Sequence, residues 1–203
     1  DPFIIPESDG SYGLQLLSET REYKFYPSDD AYIDEYPSYE NKNYGFQNKM
    51  IIQNAPLTST GNIDHKKAYI RFNFDQSSIP AGEEITDVRL VFYAEGSKRD
   101  VRLREVLSAW QESTITGYSQ PDVAAYDLIP PFDIASAGFV ELVDPIITVW
   151  VNAVKAGIKT NYGFRLWSAD SEGGKNLYIR SKEYSDVSYR PYLYVKTDTG
   201  AAS

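Results

Sequence analysis

The sequence predicts an all-β fold, a jelly-roll-like antiparallel β-sandwich with one short helix, on three observations. Apolar and polar residues alternate through many short runs, as half-buried strands require. Turn-forming residues separate the runs at close spacing, as in "IPAG", "EGSK", "DSEGG" and "YSDVSYRP". A single stretch carries a helical period. Many short strands with so little helix close into a sandwich or barrel.

Residues 1–20 show no clean period and form a lead-in segment; residues 21–197 form the sandwich; residues 198–203, within "TDTGAAS", are a tail. "AYIRFNF" puts Ile70, Phe72 and Phe74 on one face and Tyr69, Arg71 and Asn73 on the other. "DVRLVFYAE" repeats the pattern with Val88, Leu90 and Phe92 inward, and "VRLREV", "FRLWS", "LYIRS" and "YLYVK" continue it. The stretch "ITGYSQPDVAAYDLIPPFDIASAG", with three prolines and no sustained period, reads as a long loop. In "VDPIITVWVNAVKAG", Asp144 caps a helix, Pro145 suits its first position, Gly157 ends it, and Ile146, Trp150, Ala153 and Val154 share its apolar face.

Composition narrows the chemistry. At 203 residues, 42% of them hydrophobic and 14% aromatic, the chain has enough apolar surface for one large core. Without cysteine it has no disulfide, thiolate nucleophile or cysteine-ligated metal. No apolar run is long enough to span a bilayer, and no signal peptide is legible. A chain that starts at Asp1 rather than Met is expected to be a processed or excised piece of a longer protein with neighbouring domains. Of the net charge of −9, the first 45 residues carry −7, with ten acids against three bases. Such acidity argues against nucleic-acid binding, which draws its affinity from a basic surface.

Catalysis finds little support. His65, the only histidine, lies in "GNIDHKK" ahead of a strand, where it reads as a solvated turn residue. Serine or cysteine hydrolase chemistry would depend on it alone. A carboxylate pair for glycoside hydrolysis is always available among 29 acids, and nothing in their context marks one.

Two clusters remain. In residues 34–45, "DEYPSYENKNYG", proline, asparagine and glycine have the chemistry of a turn. The same neighbourhood concentrates oxygen donors suited to calcium, namely Asp29, Asp30, Asp34, Glu35, Asn41 and Asn43, though without EF-hand spacing. The second cluster is a phase. Opposite the core-facing residues lie Arg71, Arg89, Arg102, Arg104, Arg165 and Arg180, six of nine arginines, interleaved with Tyr69, Tyr93, Trp167 and Tyr178. A guanidinium fork suits carboxylate or sulfate and an aromatic face suits a sugar ring, so Arg71, Arg89, Arg102, Arg165, Trp167, Tyr178 and Arg180 form a candidate site for an acidic polysaccharide. The same residues also serve cross-strand pairing with Asp and Glu. Trp110 and Trp150 read as core.

The succession "DAYIDEYPSYENKNYG", "KKAYIRFNFDQSSIPAGEEITDVRLVFYA", "WQESTITGYSQP", "NYGFRLW" and "IRSKEYSDVSYRPYLYV" resembles the DNRLRE-type β-sandwich domains. These include carbohydrate-binding module family 96 and the disaggregatase-related repeats of methanogenic archaea. The similarity runs over residues 29–195, with Gly117-Tyr118 standing where such domains often have tryptophan. It implies a secreted or cell-surface module, itself non-catalytic, attached to a polysaccharide-degrading enzyme or an envelope protein. A structural calcium is common in sugar-binding sandwiches of this kind. A spacer or matrix domain without glycan binding, and a glycoside hydrolase or polysaccharide lyase domain, are the alternatives.

Overall fold

The computed structural model describes residues 3–6, 12–15, 19–55, 64–170 and 175–199. The lead-in forms a small antiparallel pair of its own, β1 (Phe3–Pro6) with β2 (Tyr12–Gln15). Four-residue strands are too short to display an alternation. The remaining strands are β3 (Thr20–Phe25), β4 (Pro27–Asp34), β5 (Lys49–Ala55), β6 (Asp64–Phe72), β7 (Glu84–Glu95), β8 (Lys98–Glu105), β9 (Phe132–Ile134), β10 (Gly138–Leu142), β11 (Phe164–Ser168), β12 (Leu177–Arg180) and β13 (Tyr192–Asp198).

They make two faces of a sandwich. In the β7 sheet, β7 pairs with β13, β12 and β10, and β13 pairs with β3. In the β6 sheet, β6 pairs with β4 and β11, β11 with β8, and β8 with β9. Strand β5 belongs to both, pairing with β12 through residues 49–52 and with β6 through residues 53–55. All of these pairs are antiparallel, so the predicted all-β sandwich is the observed fold.

The core lies between the sheets and follows the predicted phase. Ile70, Phe72 and Phe74 meet Val88, Leu90 and Phe92, joined by Leu103, Phe164, Leu166, Leu177 and Ile179. The helix α1 (Pro145–Lys155) starts where expected, with Asp144 accepting a hydrogen bond from the Ile146 amide. Its buried face differs from the expected one. Ile147, Trp150, Val151 and Val154 are buried and Ile146 is exposed, because the core takes the i, i+3, i+4, i+7 stripe that starts one residue later. Trp150 packs its ring 4.5 Å from that of Phe164 on β11, and the helix also packs on β7, so it reaches both sheets.

Two further expectations are corrected. The proline-rich stretch read wholly as loop contains β9 and the start of β10, which become strands only by pairing with β8 and β7. His65 lies within β6, opposite Asn54, with its Nδ1 3.6 Å from Glu35, so it is a strand residue and not a turn residue. Of the tail, Asp198 closes β13 against Thr20 and Glu84, whereas residues 200–203 lie outside the described residues, as do residues 171–174 of the "DSEGG" turn.

Candidate functional site

The outer face of the β6 sheet is divided by what covers it. Over one half, residues 107–121 fold down to make a second apolar cluster in which Ala31, Ile33, Tyr69, Val106, Trp110 and Ile115 are buried. Tyr69, expected as an exposed platform, has 0% of its surface exposed; burial pushes its hydroxyl up to about 12. Glycine is required where this covering segment lands. A Cβ on Gly117 would come within 2.2 Å of the Asp34 carbonyl oxygen. The adjacent Tyr118 amide donates to the Glu40 carbonyl, so this segment is docked on the "DEYPSYENKNYG" stretch.

That stretch is a turn. The amides of Tyr39 and Glu40 both donate to the Tyr36 carbonyl, and Tyr44 returns to bridge Tyr32, their rings stacked at 4.4 Å. Five of the six oxygen donors proposed there for a metal have protein partners. Asp29 binds the Arg71 guanidinium; burial alone would raise its carboxyl, and Arg71 outweighs this to hold it below the ordinary 3.8. Asp34 accepts from the Tyr36 amide and faces Lys66 at 3.4 Å. Asn43 donates to the carbonyls of Glu112 and Ile115 and accepts from the Gly45 amide. Asn41 is exposed, and Asp30 turns into the interior.

Over the other half, cations gather around one indole. Antiparallel register sets Trp167 opposite Arg102 and Arg165 opposite Arg104 on β8, with Tyr69 on the far side of Arg165. The three guanidinium carbons stand 5.3, 5.0 and 5.8 Å from the Trp167 ring centre for Arg102, Arg104 and Arg165. Asp127 accepts from both Arg102 and Arg104, and Asp100 takes a further pair of hydrogen bonds from Arg102. Lys67 joins the same face and donates to Glu35 at 2.5 Å; Glu35 also accepts from Gln120. Burial lowers the Lys67 ammonium, and the neighbouring Arg165 and Arg104 charges lower it further, against the pull of Glu35.

Arg165 is different from its neighbours. It is 7% exposed, its Nε has no acceptor, and among the described residues it makes no ion pair. The indole Nε1 of Trp167 likewise has no acceptor among the described residues. Four cations (Arg102, Arg104, Arg165, Lys67) thus meet three carboxylates (Asp100, Asp127, Glu35), a local positive excess on a chain of net charge −9.

The other predicted residues lie elsewhere. Arg71, at the covered half, binds Asp29 with its guanidinium 5.6 Å from the Trp110 ring. Arg89, Tyr178 and Arg180 belong to the β7 sheet. Arg89 is held by Asp87 and Glu141, and Arg180 is enclosed by Tyr93, Tyr184 and Tyr189 at 4.1–4.2 Å with Glu95 on its Nε at 2.8 Å. Tyr178 is 36% exposed and borders Lys49. The arginine-aromatic phase is therefore split between two sheets, because β8 and β11 pair in one and β7 and β12 in the other. Sequence reasoning missed Lys67, whose signal was present in the alternation it shares with Tyr69 and Arg71. It also missed Gln120 and Asp127, which arrive from the loop and carry no local signal.

A family model, carbohydrate-binding module family 96, matches residues 21–197. No curated protein matches the chain.

Proposed function

The chain belongs to carbohydrate-binding module family 96, and from that premise we propose that it is a non-catalytic module binding an anionic, uronate-containing polysaccharide on the open half of the β6 sheet. A sugar ring packs on Trp167, and its carboxylate takes the guanidinium edge of Arg165, with Arg102 and Arg104 alongside. The single observation that carries this is Arg165, a mostly buried cation beside an indole with no carboxylate of its own. A buried guanidinium without an anion is costly, and a ligand carboxylate relieves that cost on binding.

The same reading assigns the module a place outside the cell, beside a polysaccharide-degrading enzyme or within a surface protein, since that is where a polyuronate ligand would be met. The expected absence of catalysis rests on family type and on the lack of a marked acid pair. Affinity electrophoresis through gels containing a polyuronate or a neutral glucan tests the assignment. Retardation by the polyuronate that fades as salt rises past about 0.1 M, where screening shortens to roughly 10 Å, supports it. Equal retardation by both polymers, or none by either, rejects it; the latter outcome favours a spacer.

A further inference from the structure

Three carboxylates far apart in sequence converge at the edge of the sandwich. Asp30 comes from β4, Glu112 from the segment after β8, and Glu183 from the turn after β12; one oxygen of each lies within 4.8 Å of the others. Asp30 is fully buried and Glu112 nearly so. The backbone orients the group. The Asp30 amide donates to Glu112 Oε1 at 3.0 Å, and the Lys182 amide donates to Asp30 Oδ2 at 2.7 Å. The Lys182 ammonium reaches Glu112 Oε2 at 2.9 Å and Glu183 Oε1 at 2.6 Å.

Two oxygens remain. Asp30 Oδ1 and Glu183 Oε2 are both closed off from solvent and, among the described residues, take no hydrogen bond from an amide, hydroxyl or ammonium; the two carboxyl groups face each other instead. Burial pushes the Asp30 carboxyl well above its ordinary 3.8, and the neighbouring Glu183 and Glu112 charges push it further, so the charge of the three acids exceeds what one ammonium offsets; a buried carboxylate is relieved by a proton or by a bound metal. A divalent cation cancels that charge. The donor set is all carboxylate, without histidine or cysteine, which selects a hard ion. Calcium binds oxygens at about 2.3–2.6 Å in irregular geometry, and three oxygens that lie within 4.8 Å of one another fit around such an ion. Magnesium requires near-ideal octahedral geometry and tends to keep its waters.

We propose that Asp30, Glu112 and Glu183 form a calcium site that pins β4, the segment covering the β6 sheet and the turn after β12 to one another. Of the acid-rich stretch expected to hold calcium, Asp30 alone contributes. The ion is structural, 7% exposed Arg165 and its neighbours being a separate group of residues, so the site stands or falls independently of the polysaccharide assignment.

Calorimetric titration of the chelator-stripped domain with calcium chloride, paired with melting curves, tests the site. A one-site isotherm and a melting temperature that climbs with calcium concentration are expected, since an ion bound only by the folded state stabilises it. Glu183→Gln, at the least buried of the three positions, is expected to weaken binding by about tenfold or more, because charge count sets affinity in oxygen sites. Asn41→Ala, in the exposed turn, is expected to leave it unchanged. A calcium anomalous-scattering peak among the three carboxylates of a crystallised wild-type domain locates the ion should Glu183→Gln fail to fold. The proposal is overturned by a stripped wild-type domain that takes up no calcium, by undiminished binding in Glu183→Gln, or by an anomalous peak elsewhere.

Discussion

On the β7 sheet the Arg180 guanidinium touches three tyrosine rings and the Glu95 carboxylate, whereas on the β6 sheet Arg165 lies by Trp167 and the Tyr69 hydroxyl and, among the described residues, meets no carboxylate. Both arginines occupy the outward phase of a short strand beside aromatic residues. The first is internally complete. Its cage is braced further by Phe139, which stacks on Tyr189 at 5.7 Å and meets Tyr93 edge-on. The second has a hydrogen-bonding deficit that only something outside the described residues can fill. Under the proposed function, an arginine-aromatic pattern marks a binding face only where the fold withholds the acid.

The largest effect expected from breaking this contrast is on stability. Arg180→Ala removes three cation–π contacts and one of the two cations that hold Glu95, leaving Lys49, and a loss of about 2–4 kcal/mol follows from contacts of this kind; urea unfolding measures it, with polyuronate affinity of the folded fraction unchanged. Next comes Arg165→Ala, which removes a charge that meets no carboxylate among the described residues and whose Nε has no acceptor there. Stability should move little, while affinity falls by about 10- to 100-fold, the equivalent of one charge-assisted hydrogen bond of roughly 1.5–3 kcal/mol. Unfolding by Arg165→Ala with binding retained would reverse the two roles.

A pH titration sharpens the comparison further. Hydrogen bonding to Lys49, and then to Arg180, holds the Glu95 carboxyl below its ordinary 4.5. A depressed carboxylate contributes stability that is complete above about 4.5 and is lost as pH falls through its folded value. Glu95→Gln should therefore flatten the acid limb of the stability profile below pH 4.5, read by denaturant midpoints across pH. The smallest effect belongs to Arg89→Ala. That side chain is 42% exposed between Asp87 and Glu141 and lies on the complete face, so its removal should change stability by no more than about 0.5 kcal/mol and leave binding untouched.

Much of the fold was legible because the core is built by period-two runs long enough to show themselves. Ile70, Phe72 and Phe74, and Val88, Leu90 and Phe92, face inward as their spacing requires. The N-terminus of α1 was legible because its cap is local, Asp144 bonding an amide two residues on. Strand β9 was not, since the partner supplied by β8 outweighs the poor strand propensity of a proline-rich stretch. The buried face of α1 was misplaced by one residue because several apolar stripes are available on a helix with Ile146, Ile147, Val149 and Val151, and only docking chooses among them.

By itself the sequence determined which residues point away from the core, since side-chain direction alternates along a strand whatever the strand pairs with. That is why Arg102, Arg165, Trp167, Tyr178 and Arg180 all emerge on outer faces. Which arginines share a face, which tyrosines are covered, and which carboxylates meet were decided by the tertiary structure alone. Asp30 and Glu112 are 82 positions apart, and the Arg180 cage needs Tyr93 and Tyr189 from distant strands and turns. Electrostatic pairing depends on distance in space, and in an antiparallel sandwich that distance is set by register between strands that no local pattern encodes.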